Sequence, residues 1–148
     1  MKYQVFLSGE IHSNWRKEII EGAEKAGLPI GFEYPEHDHD KSDHSGIEIL
    51  GREDKKFWAD HKSAGINSIR IRNGIKKADI VIVKFGEKYK QWNAAFDAGY
   101  AAALGKSLVI IHPEDHDHAL KEIDQAAEAV ARTHEQVVDL LAYICRKT

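Results

Sequence analysis

Hydrophobic and polar positions change period several times along the chain, and those changes mark its elements. Residues 79–85 (DIVIVKF) and 107–112 (SLVIIH) are short unbroken runs rich in β-branched and other apolar side chains. Flanked by helical pattern, such runs are typical of parallel strands covered on both faces. Residues 3–7 predict an earlier strand running into Ser8-Gly9-Glu10, where glycine suits a sharp strand-to-helix turn or the close approach of a ligand. A helix follows to about residue 26, capped by Ser13 or Asn14, with Trp15, Ile19, Ile20 and Ala23 at helical spacing and Gly27 as its stop. Residues 30–34 predict a second strand, closed by Pro35.

The next stretch, residues 36–51, is polar and reads as a long loop of the kind that serves as a lid. Its His37, His39 and His44, interleaved with aspartates, invite a metal reading, but their spacing fits no standard zinc pattern and the stretch has no cysteine. A short helix over residues 52–61 carries Phe57 and Trp58, and a longer one over 63–77 carries Ile66 and Ile69. The basic positions Arg70, Arg72, Lys76 and Lys77 read as a solvated face. A polar loop and an Ala/Gly-rich helix are expected between the two buried strands. Residues 126–132 give a last, compositionally weak strand, and Thr133 caps a final helix with Val137, Val138, Leu140, Leu141 and Ile144 on its apolar face.

Strands alternating with helices predict an α/β fold. The expectation is a three-layer α/β/α, flavodoxin-like arrangement with a five-stranded parallel sheet in the order 2-1-3-4-5 and right-handed crossovers. The whole chain is read as a single domain. Loops after residues 7, 34, 85 and 112 would then meet on one rim, where such sheets keep their ligand sites.

Composition narrows the function classes. The 148 residues are 43% hydrophobic and 30% charged, with net charge −3 and both signs interspersed, so no basic footprint for nucleic acid appears. No apolar run is long enough to cross a bilayer and the N-terminus reads as no secretory signal. The single cysteine, Cys145, excludes an internal disulfide and fits a cytoplasmic protein; it reads as a packed thiol. There is no GxGxxG after the first strand, no P-loop, no GxSxG and no HExxH. No cofactor or metal is expected.

One carboxylate stands out. With Asn93 as N-cap, Asp97 would lie one turn into the small-residue helix, near the positive end of its dipole. An ionised carboxylate in a pocket can attack an electrophilic sugar carbon or stabilise an oxocarbenium-like transition state. The plainer alternative is an acid that only complements the dipole.

NGIKKADIVIV, followed by FDAGYAAALGKSLVII, resembles the nucleoside 2-deoxyribosyltransferase superfamily, and the opening VFLSGEIH is similar to its first strand and glycine turn. The segment QWNAAFDAGYAAALGKS and the HPE after it look most like the YtoQ group within that superfamily. The resemblance implies a small-molecule nucleoside or nucleotide ligand and a homo-oligomer. It also implies a nucleophilic acid at the position of Asp97, where the family carries glutamate. An acid shorter by one methylene withdraws the carboxylate by ~1 Å, a displacement that can cost ~100-fold unless the backbone compensates. The acid that the family places on the preceding helix falls at Arg70-Ile71-Arg72-Asn73, and its first-strand tyrosine falls at Phe6.

Two readings follow. In the first the protein is an N-glycosidic-bond enzyme, with Asp97 as nucleophile or cation stabiliser and Glu10 or His12 as acid/base. Trp92 and Tyr100 would stack on the ligand, while Ser8, Gly9 and Asn93 hydrogen-bond its sugar. His12, Trp92 and Tyr100 have plainer alternatives as an exposed, a core and an interface residue. In the second reading the protein is a non-catalytic binder of a nucleotide-like ligand or a regulatory module. A base-exchange enzyme needs a proton donor as well as a nucleophile, and the carboxylate count decides between the two.

Overall fold

In the computed structural model, which describes residues 3–88 and 90–146, the alternating pattern becomes one five-stranded parallel sheet in the order β2-β1-β3-β4-β5. The strands are β1 (Tyr3–Gly9), β2 (Ile30–Glu33), β3 (Ile80–Lys84), β4 (Ser107–Ile111) and β5 (Ala129–Ala131). The helices are α1 (Trp15–Lys25), α2 (His39–Leu50), α3 (Lys56–Lys77), α4 (Trp92–Ala103), α5 (Lys121–Gln125) and α6 (His134–Ile144). Strand order and layer arrangement are as the sequence predicts.

Period-two alternation sorts the strand side chains onto two faces. Val5, Leu7, Ile80, Ile82, Val109 and Ile111 pack with Trp15 and Ile19 of α1 and Val137 and Leu141 of α6. Phe6, Val81, Val83, Leu108 and Ile110 face the other way, against Ile75 of α3 and Ala94, Ala98 and Ala101 of α4. Two glycines set close approaches. A Cβ on Gly74 would lie 2.3 Å from Cε2 of Phe6, so α3 sits tightly on β1. Gly9 has φ of 121°, and a Cβ there would lie 2.1 Å from the carbonyl oxygen of Lys84, so only glycine fits where β1 turns away beside β3.

Three expectations change. Residues 36–51 are not a loop: residues 39–50 form α2, N-capped by Asp38, whose carboxylate accepts the Lys41 N–H at 3.3 Å. This helix presses only Gly46 fully against its neighbour, which is why its sequence is polar nearly all round. The helices expected over 52–61 and 63–77 are one continuous α3, because neither proline nor a cap interrupts the backbone ladder at Lys62. Asn93 is not the cap of α4: Gln91 takes that place, and its side chain instead accepts the Gly86 N–H at 2.9 Å. Thr133 does cap α6, in a reciprocal capping box with Gln136.

Candidate active site

The alternation that buries Phe6 toward α4 also turns Ser8 that way. Its hydroxyl donates to Oδ2 of Asp97 at 2.5 Å, joining β1 to α4 across 89 residues of sequence. Asp97 is 6% exposed, because Ala94, Ala98 and Ala101 let α4 lie close to the sheet. Burial pushes its carboxyl up to about 6, against the opposing pull of the Ser8 hydrogen bond. Oδ1 accepts no hydrogen bond from the described residues, and none of their buried polar side-chain atoms is left unpaired. Oδ1 is therefore the oxygen open to the adjoining space.

That space is a cavity of 520 Å³ between α2, α3 and α4. Asp60, Ala64, Asn67 and Ile71, at helical spacing on α3, form one wall; Asp43 of α2 and Asn93 and Phe96 of α4 complete it. Phe96 is backed by Tyr100, with ring planes 6° apart and centroids separated by 6.5 Å. The α2–α3 wall is fixed by Ser63, whose hydroxyl donates to the Asp43 carbonyl at 2.7 Å and accepts the Gly46 N–H at 2.9 Å. Asn67 donates to the carbonyl of Ser42 at 3.0 Å. The stretch expected as a lid is thus a helical wall of this cavity.

The sequence candidates divide between sites. Asp97, Ser8 and Asn93 come together, with Tyr100 behind Phe96. Glu10 and His12 line a second cavity of 310 Å³ at the carboxyl ends of β1, β3 and β4, which does not include Asp97. There the 5%-exposed Glu10 carboxylate accepts the His12 N–H at 2.6 Å and the Ser13 hydroxyl, tying down the turn into α1. Gly9 serves that same turn. Trp92 is 78% exposed and lines a third cavity with Lys90 and Leu120, so the core alternative for it does not hold.

Sequence reasoning missed several residues. Arg16 is buried, and its guanidinium donates to the carbonyls of Leu7, Gly9 and Glu10 at 3.2, 3.2 and 2.8 Å. Burial lowers it to about 10, with Glu10 pulling the other way. Nothing in a lone helical arginine signals that role. Asp43 and Asp60 were hidden by the loop reading and by the assumed break in α3. Arg72, read as part of a solvated face, lies at the rim of the Asp97 cavity. Among the described residues, no group of three or more His, Cys, Asp or Glu is arranged to hold a metal, and no helix is long and apolar enough to cross a membrane.

This geometry has relatives. A conserved protein from Enterococcus faecalis V583 superposes with a TM-score of 0.62 at 12% identity, covering 97% of this chain and 99% of its own. A 2-deoxyribosyltransferase from Bacillus psychrosaccharolyticus gives 0.56 at 17% identity, over 92% and 90% of the two chains. The Clostridium botulinum CMP N-glycosidase BcmB gives 0.53 at 14%, over 95% and 98%. At those identities the shared property is the fold. In sequence, the protein is 47% identical over 144 residues to "Uncharacterized protein YtoQ" of Bacillus subtilis (strain 168), covering 97% of each chain. The family Nucleoside 2-deoxyribosyltransferase YtoQ matches residues 6–145. With nearly the whole length matched on both counts, the chain belongs to the nucleoside 2-deoxyribosyltransferase YtoQ family.

Proposed function

We propose that the protein cleaves or exchanges the N-glycosidic bond of a nucleoside or nucleotide, with Asp97 as the nucleophilic carboxylate. The observation that carries this reading is a buried acid with one oxygen held by Ser8 and the other open to a 520 Å³ cavity. Oδ1 attacks C1′ of the sugar as the bond from C1′ to the base nitrogen breaks, giving a glycosyl ester. Water or a second base then attacks C1′ and releases the carboxylate. The departing base needs a proton. Glu10 faces the other cavity, so we assign this proton to Asp43 or Asp60, which share the cavity with Asp97. Phe96, stacked on Tyr100, offers the base a face.

The test is chromatographic. Deoxynucleosides, ribonucleosides and their monophosphates are incubated with the protein, with and without a free acceptor base. Asp97→Asn should remove at least about a thousandfold of base release or exchange. Product that persists in Asp97→Asn removes Asp97 as nucleophile. No turnover, with ligand-dependent thermal stabilisation, favours a binding module instead.

We also propose a cytoplasmic homo-oligomer. Support comes from apolar side chains that α2 and α3 leave in water: Ile49, Leu50, Phe57 and Trp58 are each at least 50% exposed.

A further inference from the structure

Lys84, in the wall of the second cavity, belongs to an arrangement that the N-glycosidic reaction does not use; its partners His134 and Glu18 line a separate pocket between α1 and α6. Lys84 ends β3 on the same strand face as Ile80 and Ile82, so it points toward α1 and α6, away from Asp97. Its Nζ lies 2.8 Å from Nε2 of His134, the first residue of α6. Nδ1 of His134 is hydrogen-bonded to the carboxylate of Glu18 on α1. The tautomer with a proton on Nδ1 for Glu18 leaves Nε2 as an acceptor aimed at the amine. Glu10 Oε1 lies 3.9 Å from the same Nζ. A nucleophile, a base within hydrogen-bond reach and an acid that orients the base together form the arrangement that activates covalent catalysts.

The surroundings favour the reactive form. The Lys84 side chain is 17% exposed, and burial pushes its amine below the usual lysine range, opposed by the charges of Glu10, Glu18 and Glu87. The cavity holds 310 Å³, room for a ligand of a few carbons. Its wall sets Lys84, Lys88 and Arg132 against the carboxylates of Glu10 and Glu87, with Arg132 also paired to Asp117 at 2.6 Å, and the excess of basic groups favours a ligand carrying an anionic group. The cavity also lies where β1 sends its chain to one face of the sheet and β3 to the other, the position at which open parallel sheets take ligands.

We propose that Lys84 is a carbonyl-reactive amine, with His134 as its base and Glu18 orienting that base, in a site separate from that of Asp97 and taking a small anionic aldehyde. His134 Nε2 accepts a proton from the ammonium, and the freed lone pair on Nζ attacks the carbonyl carbon. The carbonyl oxygen takes up a proton to give a carbinolamine. Its nitrogen loses a proton to solvent, the hydroxyl takes the proton held by His134 and leaves as water as the nitrogen lone pair forms the C=N bond, and loss of the remaining N–H proton to solvent gives the imine. One carbonyl and one amine thus give one imine and one water.

The experiment exposes the unaltered protein briefly to glyceraldehyde 3-phosphate with borohydride and maps alkylated lysines by peptide mass spectrometry. Lys84 should be modified at least about tenfold faster than the exposed Lys17 and Lys41. Equal or slower labelling of Lys84 overturns the proposal. His134→Gln should bring Lys84 down to the rate of the exposed lysines, and Glu18→Gln, at a half-exposed side chain, should slow it in the same direction. Unchanged labelling in both variants removes the triad. Uncharged glyceraldehyde should label Lys84 more slowly than its phosphate; equal rates remove the anion preference. None of these readouts depends on Asp97.

Discussion

Asp97 carries two consequences that pull in opposite directions. Its carboxyl sits at about 6 when folded, against 3.8 for the free group, so the native state binds its proton more tightly than the unfolded chain does. That contribution to stability is fully present below about pH 4 and is lost as pH rises through about 6. Its upper bound is on the order of 3 kcal/mol. Asp97→Asn keeps an acceptor for Ser8 and removes the buried charge. It should therefore raise the thermal midpoint at pH 7–8 while abolishing turnover, and calorimetry beside the activity assay checks both. Activity that needs the ionised acid should climb through about pH 6. Ser8→Ala removes the hydrogen bond that opposes this rise, so the climb should move about one to two pH units higher, with kcat falling more than KM. A pH–rate profile that stays in place rules out Ser8 as a positioning residue. Asp97 was legible from its place in a small-residue helix, whereas its bond to Ser8 depends on strand parity and sheet order together. Ser8 read only as a hydroxyl for the ligand's sugar.

Among the elements, the α2–α3 pair decides how the cavity is walled, and glycines on its two helices predict opposite effects. A Cβ on Gly46 would lie 2.3 Å from the backbone nitrogen of Ser63, whereas at Gly65 nothing lies within 4 Å. Gly46→Ala should cost about 1–3 kcal/mol by pushing α2 off α3, and should weaken ligand binding in the same variant. Gly65→Ala should stabilise by about 0.5–1 kcal/mol through helix propensity alone. Chemical denaturation of the two variants distinguishes them. Strands β3 and β4 were legible because buried parallel strands announce themselves as unbroken apolar runs, whereas the short edge strand β5 was weak in composition. Helix α2 was not, because a helix that lies on one neighbour and buries chiefly a glycine has no apolar stripe to show. The carboxylate of Asp43 was lost with it, and that of Asp60 with the assumed break in α3.

For the whole molecule, sheet order 2-1-3-4-5 was legible from alternation and crossover handedness, but the partition of the loops into separate cavities was not. The loops after β1, β3 and β4 do meet around one cavity, as the sequence predicts; the faces of β1 and β3 in addition send Ser8 toward α4 and Lys84 toward α6. The apolar tip of the α2–α3 pair belongs to the same scale. Phe57 and Trp58, 68% and 50% exposed, meet edge to face with centroids 5.0 Å apart. Light scattering should find more than one chain per particle, and replacing both residues with serine should yield the monomer. A wild-type protein that is monomeric at micromolar concentration sinks the proposed oligomer.

The 2.5 Å contact between Ser8 and Asp97 also bears on how this lineage could diverge. An added methylene at position 97 would drive the carboxylate into the hydroxyl unless position 8 yields. A short acid and a small hydroxyl are therefore a matched pair in this chain. Relatives with glutamate at the position of Asp97 should carry a different residue at the position of Ser8, so that the two columns of an alignment change in concert.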